Sequence, residues 1–120
     1  MKGKIILFVL VILAVFVLFG CTQPSAESVS TFAKCIKDSG AKFYGTFWCP
    51  HCIEQKKLFG SSVEYLPYVE CSTPDGKSEL QVCIDAGIES YPTWVFADGS
   101  TAVGLQTFAQ LSTKTGCKLS

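Results

Sequence analysis

The chain has 120 residues, which is enough for one domain and a short leader but not for two domains. It contains no arginine, and from Cys21 onward eight lysines against ten acidic residues leave a net charge of −2. Because nucleic-acid binding requires a basic face, we expect no nucleic-acid partner.

The first predicted element is an apolar leader. Two lysines precede an uninterrupted apolar run from Ile5 to Phe19, which is followed by Gly20 and Cys21. The run has 15 residues, fewer than the ~18 expected of a membrane-spanning helix, and this favours a secretory signal peptide over residues 1–20. An uncleaved membrane anchor is the alternative. Both interpretations predict an extracytoplasmic domain, either secreted or held at the outer face of the cytoplasmic membrane.

The first half of the chain continues with a polar, aperiodic stretch over 21–28, which we predict to be a tether that leads into a folded domain over 29–120. Apolar residues at helical spacing predict a helix from about Glu27 to Gly40. The aromatic-rich stretch 41–48 predicts a strand, and a further helix is predicted over 50–60.

The second half of the chain predicts a strand over 62–71, where Pro67 favours a sheet edge or a bulge. A helix over 77–87, a hairpin over 92–106 and a last helix over 107–116 follow. Alternation of strands and helices implies a parallel strand pair joined by a crossover, to which the hairpin adds antiparallel strands. The predicted fold is therefore α/β, with a mixed sheet of about four strands flanked by helices.

The sequence FWCPHC contains the candidate redox pair, Cys49 and Cys52. Pro50 suits the first turn of a helix, so Cys49 is expected at a helix N-terminus, where free N–H groups and the helix dipole stabilise a thiolate. Cys52 lies one turn later within disulfide reach. We predict that Cys49 is the attacking thiol and that Cys52 resolves the mixed disulfide. His51 is expected to favour the Cys49 thiolate by adding positive charge or a hydrogen bond.

From Phe43 to about Gly116 the order of elements, together with the cysteine pair, resembles the thioredoxin fold, and CPHC resembles the active site of the DsbA family of disulfide oxidases. The resemblance implies that Pro92, in the sequence YPTW, follows a cis peptide bond and faces the cysteine pair. It also implies that the backbone of Tyr91 pairs with an extended substrate segment.

One position departs from the thioredoxin pattern. Thioredoxins carry a buried acid six residues before the first cysteine, and Phe43 occupies that position here. The usual proton acceptor of the resolving cysteine is therefore missing, which puts reducing activity in doubt and is compatible with an oxidant. Glu54 is near in sequence, but we expect its side chain to face solvent.

Residues 32–96 resemble a narrower family, the thioredoxin-like partner domain of bacterial and archaeal vitamin K epoxide reductase homologues. That family shares FWCPHC and a further cysteine pair at positions matching Cys71 and Cys83. The resemblance implies that the CPHC pair oxidises substrate thiols and that a membrane partner reoxidises it by passing electrons to quinone. Whether Cys71 and Cys83 relay electrons or only close a loop stays open, and the stabilisation expected of a short loop favours a structural role.

Seven cysteines in so short a chain indicate an oxidising compartment. The stretch LFGC resembles the lipobox of bacterial lipoproteins, which implies lipidation of Cys21. Cys35 and Cys117 remain, on the first and last predicted helices of the domain. Their pairing is undecided, because helices on opposite faces of the sheet could not be bridged.

The aromatic residues near the cysteine pair fall into two groups. We expect Phe43, Phe47, Trp94 and Phe96 in the core. Trp48 directly precedes Cys49, and we expect it to be partly exposed and to shape the substrate groove.

The predicted function is oxidation of cysteines in exported proteins, with no cofactor bound to the chain itself. A membrane-tethered disulfide reductase or isomerase would use the same residues with the opposite direction of electron flow. A metal-binding chaperone module is the alternative from a different class. CPHC supplies at most three local ligands, whereas structural zinc generally takes four, so we expect no metal site.

Overall fold

The computed structural model describes residues 1–17, 20 and 22–120. The elements in chain order are α1 (Lys2–Val17), α2 (Ala26–Asp38), β1 (Lys42–Gly45), α3 (Pro50–Phe59), a 3₁₀ helix (Gly60–Tyr65), β2 (Tyr68–Glu70), α4 (Gln81–Asp85), β3 (Thr93–Val95), β4 (Thr101–Val103) and α5 (Phe108–Thr115).

The leader forms α1, and the side chains of residues 1–12 are exposed. Within the described residues, none of the helices combines the length and the apolar character needed to cross a membrane. Cys21, the predicted lipidation site, lies outside the described residues.

The four strands form one mixed sheet in the order β2-β1-β3-β4. β1 and β2 are parallel, with Phe43 opposite Tyr68 and Gly45 opposite Glu70, and α3 provides the crossover. β3 runs antiparallel to β1 and to β4. The predicted α/β fold, its parallel pair and its late hairpin are confirmed, and β2 is the edge strand that Pro67 suggested.

Side chains alternate across the sheet and build a core on each face. Phe43 contributes to the larger core together with residues of α2, α3 and α5. Tyr44 points the other way and packs with Cys71, Cys83 and Ile88 beside α4. The helix that begins at the cysteine pair therefore rests on the larger core.

Helix α2 begins at Ala26, inside the stretch predicted to be a tether, because Ser25 caps it by accepting a hydrogen bond from the backbone N–H of Ser28. Its buried residues include Val29, Phe32 and Ile36, the spacing that predicted the helix.

Two predicted elements are shorter in the structure. The strand over 62–71 is reduced to Tyr68–Glu70, because the chain continues from α3 into the 3₁₀ helix until Leu66 turns extended before Pro67. The helix over 77–87 is reduced to α4, since Thr73 and Asp75 bind the backbone of Ser78 and Lys77 and hold the preceding residues in a turn.

Two disulfides close the domain. Cys71–Cys83 joins the end of β2 to α4, and Cys35–Cys117 joins α2 to the segment after α5. The second pairing was undecided from sequence. It forms because α2 and α5 pack on the same face of the sheet, with Cα atoms of the two cysteines 5.8 Å apart.

Candidate active site

The cysteine pair lies where β1 ends and α3 begins. Cys49 is the N-cap residue of α3 in an extended conformation, and Pro50 occupies the first turn. The Cys49 N–H donates to the carbonyl of Thr46, while its own carbonyl accepts from the N–H of Ile53. Cys49 is therefore at the helix N-terminus, where the sequence placed it.

Both thiols are free, and they differ in environment. Cys49 is 6% exposed, whereas Cys52 is completely buried. Burial, together with a hydrogen bond involving Cys49, raises the pKa of Cys52 to about 12. Cys52 is therefore a protonated, inaccessible thiol at neutral pH, and Cys49 is the thiol closer to solvent.

The Tyr91–Pro92 peptide bond is cis, as the resemblance implied. The Cys49 thiol donates to the carbonyl oxygen of Tyr91 at 3.7 Å. Cys49 of the CPHC motif and Tyr91 of the YPTW motif, which are 42 residues apart in the sequence, thus meet at the sulfur of Cys49.

The two aromatic residues before Cys49 are both exposed. Trp48 is 50% exposed, donates from Nε1 to Ser72 Oγ at 3.1 Å and meets the Tyr91 ring edge-on. Phe47 is 49% exposed, so its predicted place in the core is wrong. β1 ends at Gly45, and the turn that follows carries Phe47 off the sheet and away from the core. Phe43, Trp94 and Phe96 are buried as expected.

His51 points outward from the first turn of α3. Its Nδ1 lies 3.3 Å from the carboxylate of Glu54, and both side chains are largely exposed. The solvent-facing position expected for Glu54 is confirmed. The contact predicted between His51 and the Cys49 sulfur is not among the hydrogen bonds of the described residues, and the influence of His51 on Cys49 stays a prediction.

No acid lies beneath the pair at position 43. Phe43 is fully buried and stacks on Trp94 with ring centroids 4.8 Å apart. Glu70, which sequence reasoning missed, is a polar anchor of the loop. Its carboxylate accepts hydrogen bonds from the backbone N–H groups of Phe47 and Ser72 and from the hydroxyl of Tyr68.

Gln55 is a second missed residue. It is fully buried in α3, where its Oε1 accepts from Trp94 Nε1 and from the N–H of Gln106, and its Nε2 donates to the Gln106 carbonyl. These bonds fix α3 against β3 and the segment before α5. The available signal was the position of Gln55 on the same helix face as Cys52 and Phe59, which are three residues before it and four residues after it.

A cavity of about 210 Å³ opens beside the pair, between Trp48 and Tyr91 on one side and the turn that carries Ser72 and Glu79 on the other. The Tyr91 hydroxyl donates to the Glu79 carboxylate at 2.6 Å. This hydrogen bond connects the turn to the segment that contains the cis Tyr91–Pro92 bond, which we call the proline loop. The disulfide Cys71–Cys83 lies behind this turn, and both of its cysteines are fully buried. Among the described residues, no group of three or more histidine, cysteine or acidic side chains is arranged to hold a metal ion.

Comparison with known proteins agrees with this geometry. No family model matches the chain. The chain is similar to thiol-disulfide oxidoreductase LTO1 of Arabidopsis thaliana, with 45% identity over 103 residues that cover 82% of this chain. The chain spans only about a quarter of that protein, since the match covers 27% of it. With its CxxC pair at a helix N-terminus and its thioredoxin-like fold, the chain is identified as a homologue of a thiol-disulfide oxidoreductase.

Proposed function

We propose that the chain is an extracytoplasmic protein disulfide oxidoreductase that oxidises cysteines of exported proteins through the Cys49–Cys52 disulfide. The observation that carries the proposal is the asymmetry of the pair: Cys49, which is 6% exposed, meets the Tyr91 carbonyl, while Cys52 is completely buried. Such a pair offers an incoming thiolate one sulfur only.

The reaction is two successive thiol–disulfide exchanges. A substrate thiolate attacks the Cys49 sulfur, the Cys49–Cys52 bond breaks, and Cys52 leaves as a thiolate that takes up a proton. A second substrate thiolate then attacks the substrate sulfur of the mixed disulfide and releases Cys49. The substrate loses two electrons and two protons, and the pair is left as a dithiol.

Substrate binding is proposed along the cavity that Trp48 and Tyr91 line on one side. An extended segment pairs with the Tyr91 backbone, which Pro92 positions beside Cys49. Main-chain pairing discriminates little between sequences, as an oxidant of many exported proteins requires.

Three features favour oxidation over reduction. Phe43 stands where a reductase of this fold has its buried acid, His51 is proposed to favour the Cys49 thiolate when it is protonated, and two further disulfides are typical of an oxidising compartment. Reoxidation then requires a two-electron acceptor, and we infer a quinone-linked membrane partner resembling vitamin K epoxide reductase.

The remaining cysteines are proposed to be structural or anchoring. Cys71 and Cys83 are both fully buried, which favours a loop-closing role over an electron relay, although Cys71 is among the residues that line the cavity beside Trp48. Lipidation of Cys21 would hold the domain at the outer face of the membrane, and the mass of the mature protein tests this.

The reduction potential of the Cys49–Cys52 pair tests the direction of electron flow. Equilibration with glutathione should give a value clearly more oxidising than the about −270 mV of thioredoxin. A value at or below that of thioredoxin contradicts the oxidant and favours the reductase or isomerase.

The division of labour within the pair is tested by two variants. Cys49→Ala should abolish oxidation of a dithiol peptide, because no accessible sulfur remains. Cys52→Ser should accumulate mixed disulfides at Cys49, detectable by non-reducing electrophoresis. Oxidation by Cys49→Ala at the wild-type rate would exclude the mechanism.

A further inference from the structure

The negative charge that develops on the Cys52 sulfur when the disulfide opens requires a nearby group that stabilises it. In the exchange proposed above, the negative charge of the attacking thiolate passes to the Cys52 sulfur. That sulfur is completely buried, and a thiolate without water is strongly destabilised. The buried acid that serves the resolving cysteine in thioredoxins is absent here, since Phe43 fills its position.

Lys56 lies on the same face of α3 as Cys52. The two residues are four positions apart, the spacing at which helical side chains are neighbours. The Lys56 side chain is half-buried, and its Nζ lies 3.4 Å from the centroid of the Tyr68 ring. This short cation–π contact directs the ammonium group toward β2, where it lies over Tyr68.

Tyr68 and Cys52 both approach Gly45 of β1. A methyl group placed on Gly45 would be 2.8 Å from the Cys52 sulfur and 3.1 Å from Tyr68 Cε2, so the sulfur and the ring border the same point of the strand. The Phe43 ring meets the Tyr68 ring edge-on, and the Tyr68 hydroxyl donates to Glu70 at 2.7 Å. The ring that holds Lys56 is therefore itself fixed on two sides.

The titratable groups around Cys52 come from three parts of the fold. They are Cys49 and Lys56 of α3, Tyr68 and Glu70 of β2, and Tyr91 of the proline loop. His51 and Glu54 pair with each other at the surface. Burial and the Glu70 carboxylate raise the pKa of Tyr68, and burial and Glu79 raise that of Tyr91 to about 12, so both hydroxyls are neutral at pH 7. Lys56 is the cation of this set, and a backbone hydrogen bond at Thr46 also favours the Cys52 thiolate.

We propose that Lys56, held over the ring of Tyr68, stabilises the thiolate that Cys52 becomes whenever the Cys49–Cys52 disulfide opens or closes, with Tyr68 as its positioning residue. This role rests on the proposed thiol exchange at Cys49 but holds for either direction of electron flow. Lys56 then does by charge what the missing acid of thioredoxins does by proton transfer.

The proposal predicts an effect on rate and none on equilibrium. At pH 7 the reduced pair holds Cys52 as a neutral thiol, so Lys56 has no thiolate to stabilise in either end state. It acts on the charge that develops on Cys52 as the leaving or attacking sulfur. Because the rate of exchange follows the pKa of the leaving thiol with a Brønsted coefficient near one half, each unit of pKa lost changes the rate about threefold.

The experiment compares three full-length variants: Lys56→Gln, its neighbour Lys57→Gln as the matched control, and Lys56→Arg as the conservative rescue. Lys57 is exposed, and among the described residues the cation–π contacts involve other lysines. Opening of the oxidised pair by 2-mercaptoethanol and its closing by oxidised 2-mercaptoethanol are followed at pH 7, and the reduction potential is measured on the same samples.

Lys56→Gln should slow opening and closing by the same factor, about threefold for each unit by which the pKa of Cys52 rises, with an unchanged potential. Lys57→Gln and Lys56→Arg should keep the wild-type rates. Equal rates for Lys56→Gln and wild type, or equal slowing by Lys57→Gln, overturn the proposal while leaving thiol exchange at Cys49 intact. A wild-type pair that does not exchange at all would instead overturn the proposed function.

A second measurement reads the thiolate directly. In a Cys49→Ser background, the chemical shift of the Cys52 Cβ carbon in NMR spectra follows the titration of that thiol, where Lys56→Gln should raise the pKa and Lys57→Gln should not. Tyr68→Phe keeps the ring and should keep the titration, whereas Tyr68→Leu should shift it as Lys56→Gln does. An unshifted titration in both Lys56→Gln and Tyr68→Leu contradicts the proposal.

Discussion

Gly45 is the point at which the sheet touches the reactive pair. A side chain at this position would overlap the Cys52 sulfur, which lies 2.8 Å from the place of a Cβ atom. Gly45→Ala therefore forces α3 away from the sheet, and we expect the free energy of unfolding to fall by about 1–3 kcal/mol, the range for overpacked cores. Chemical denaturation of the reduced protein measures it.

The matched comparison for Gly45→Ala is the same substitution in a Cys52→Ala background. Removal of the sulfur leaves the Tyr68 ring carbon at 3.1 Å as the nearest contact. In this background, Gly45→Ala should therefore lower the free energy of unfolding by less. An equal loss in both backgrounds would mean that the sulfur is not the obstacle.

Cys52 also makes the stability of the reduced protein depend on alkaline pH. Its folded pKa of about 12 exceeds the about 8.5 of an unfolded cysteine. A raised pKa means that the neutral thiol stabilises the fold fully below the unfolded value and that this contribution is lost as pH rises toward the folded value. The reduced wild type should therefore lose stability between about pH 8.5 and 12.

Unfolding at a series of pH values checks this dependence against two references. The oxidised wild type and the reduced Cys52→Ala variant keep Tyr68 and Tyr91, whose pKa values are also raised, but they lack the titrating thiol. The free energy of unfolding of both reference proteins should fall less steeply as the pH rises. Parallel curves for all three proteins would contradict the assignment to Cys52.

At the scale of elements, α5 begins with a complete capping box. The Thr107 side chain accepts from the N–H of Gln110, and the Gln110 side chain accepts from the N–H of Thr107. Thr107→Ala should lower the free energy of unfolding by about 1 kcal/mol. Thr113→Ala, on the exposed face of the same helix, should cost nothing, and an equal loss from both would exclude capping as the cause.

Patterns within a few neighbouring residues were sufficient to predict some of the helices and strands. The spacing of Val29, Phe32 and Ile36 predicted α2, and the aromatic run predicted β1. The strand over 62–71 and the helix over 77–87 were too long, because Thr73 and Asp75 bind nearby backbone and the chain continues helically past Gly60. Side chains such as Thr73 and Asp75 compete with a regular helix for the same backbone N–H groups. Composition alone does not show which of these hydrogen bonds the folded chain forms.

The residues of the candidate site also fall into two groups, those that a short motif predicts and those that only the folded chain brings to the site. Cys49, Cys52 and Pro92 were predicted from short motifs, and the structure brings them together. Glu70 binds a residue 23 positions away, and Gln55 binds one 51 positions away, so neither contact leaves a local pattern. The exposure of Phe47 was missed for a related reason: the strand was expected to continue to Trp48, which would have directed Phe47 inward.

For the molecule as a whole, the two structural disulfides should contribute unequally. Cys35–Cys117 spans 82 residues and Cys71–Cys83 spans 12. The chain-entropy model gives about 4.5 kcal/mol for the longer loop and about 3 kcal/mol for the shorter one. Paired serine variants of each disulfide, unfolded in denaturant, should show the larger loss for Cys35–Cys117, and the opposite order would mean that packing around Cys71 and Cys83 outweighs loop closure.

The Cys35–Cys117 bond also decides how the domain bears mechanical load. A pull between the leader and the C-terminus runs through the start of α2 to Cys35, crosses the sulfur–sulfur bond and leaves at Cys117, three residues before the end of the chain. The sheet, α3 and the cysteine pair all lie inside the covalent ring and carry no tension. A domain stretched between its ends would extend only before Cys35 and after Cys117, while the sheet and α3 would stay enclosed by the covalent ring.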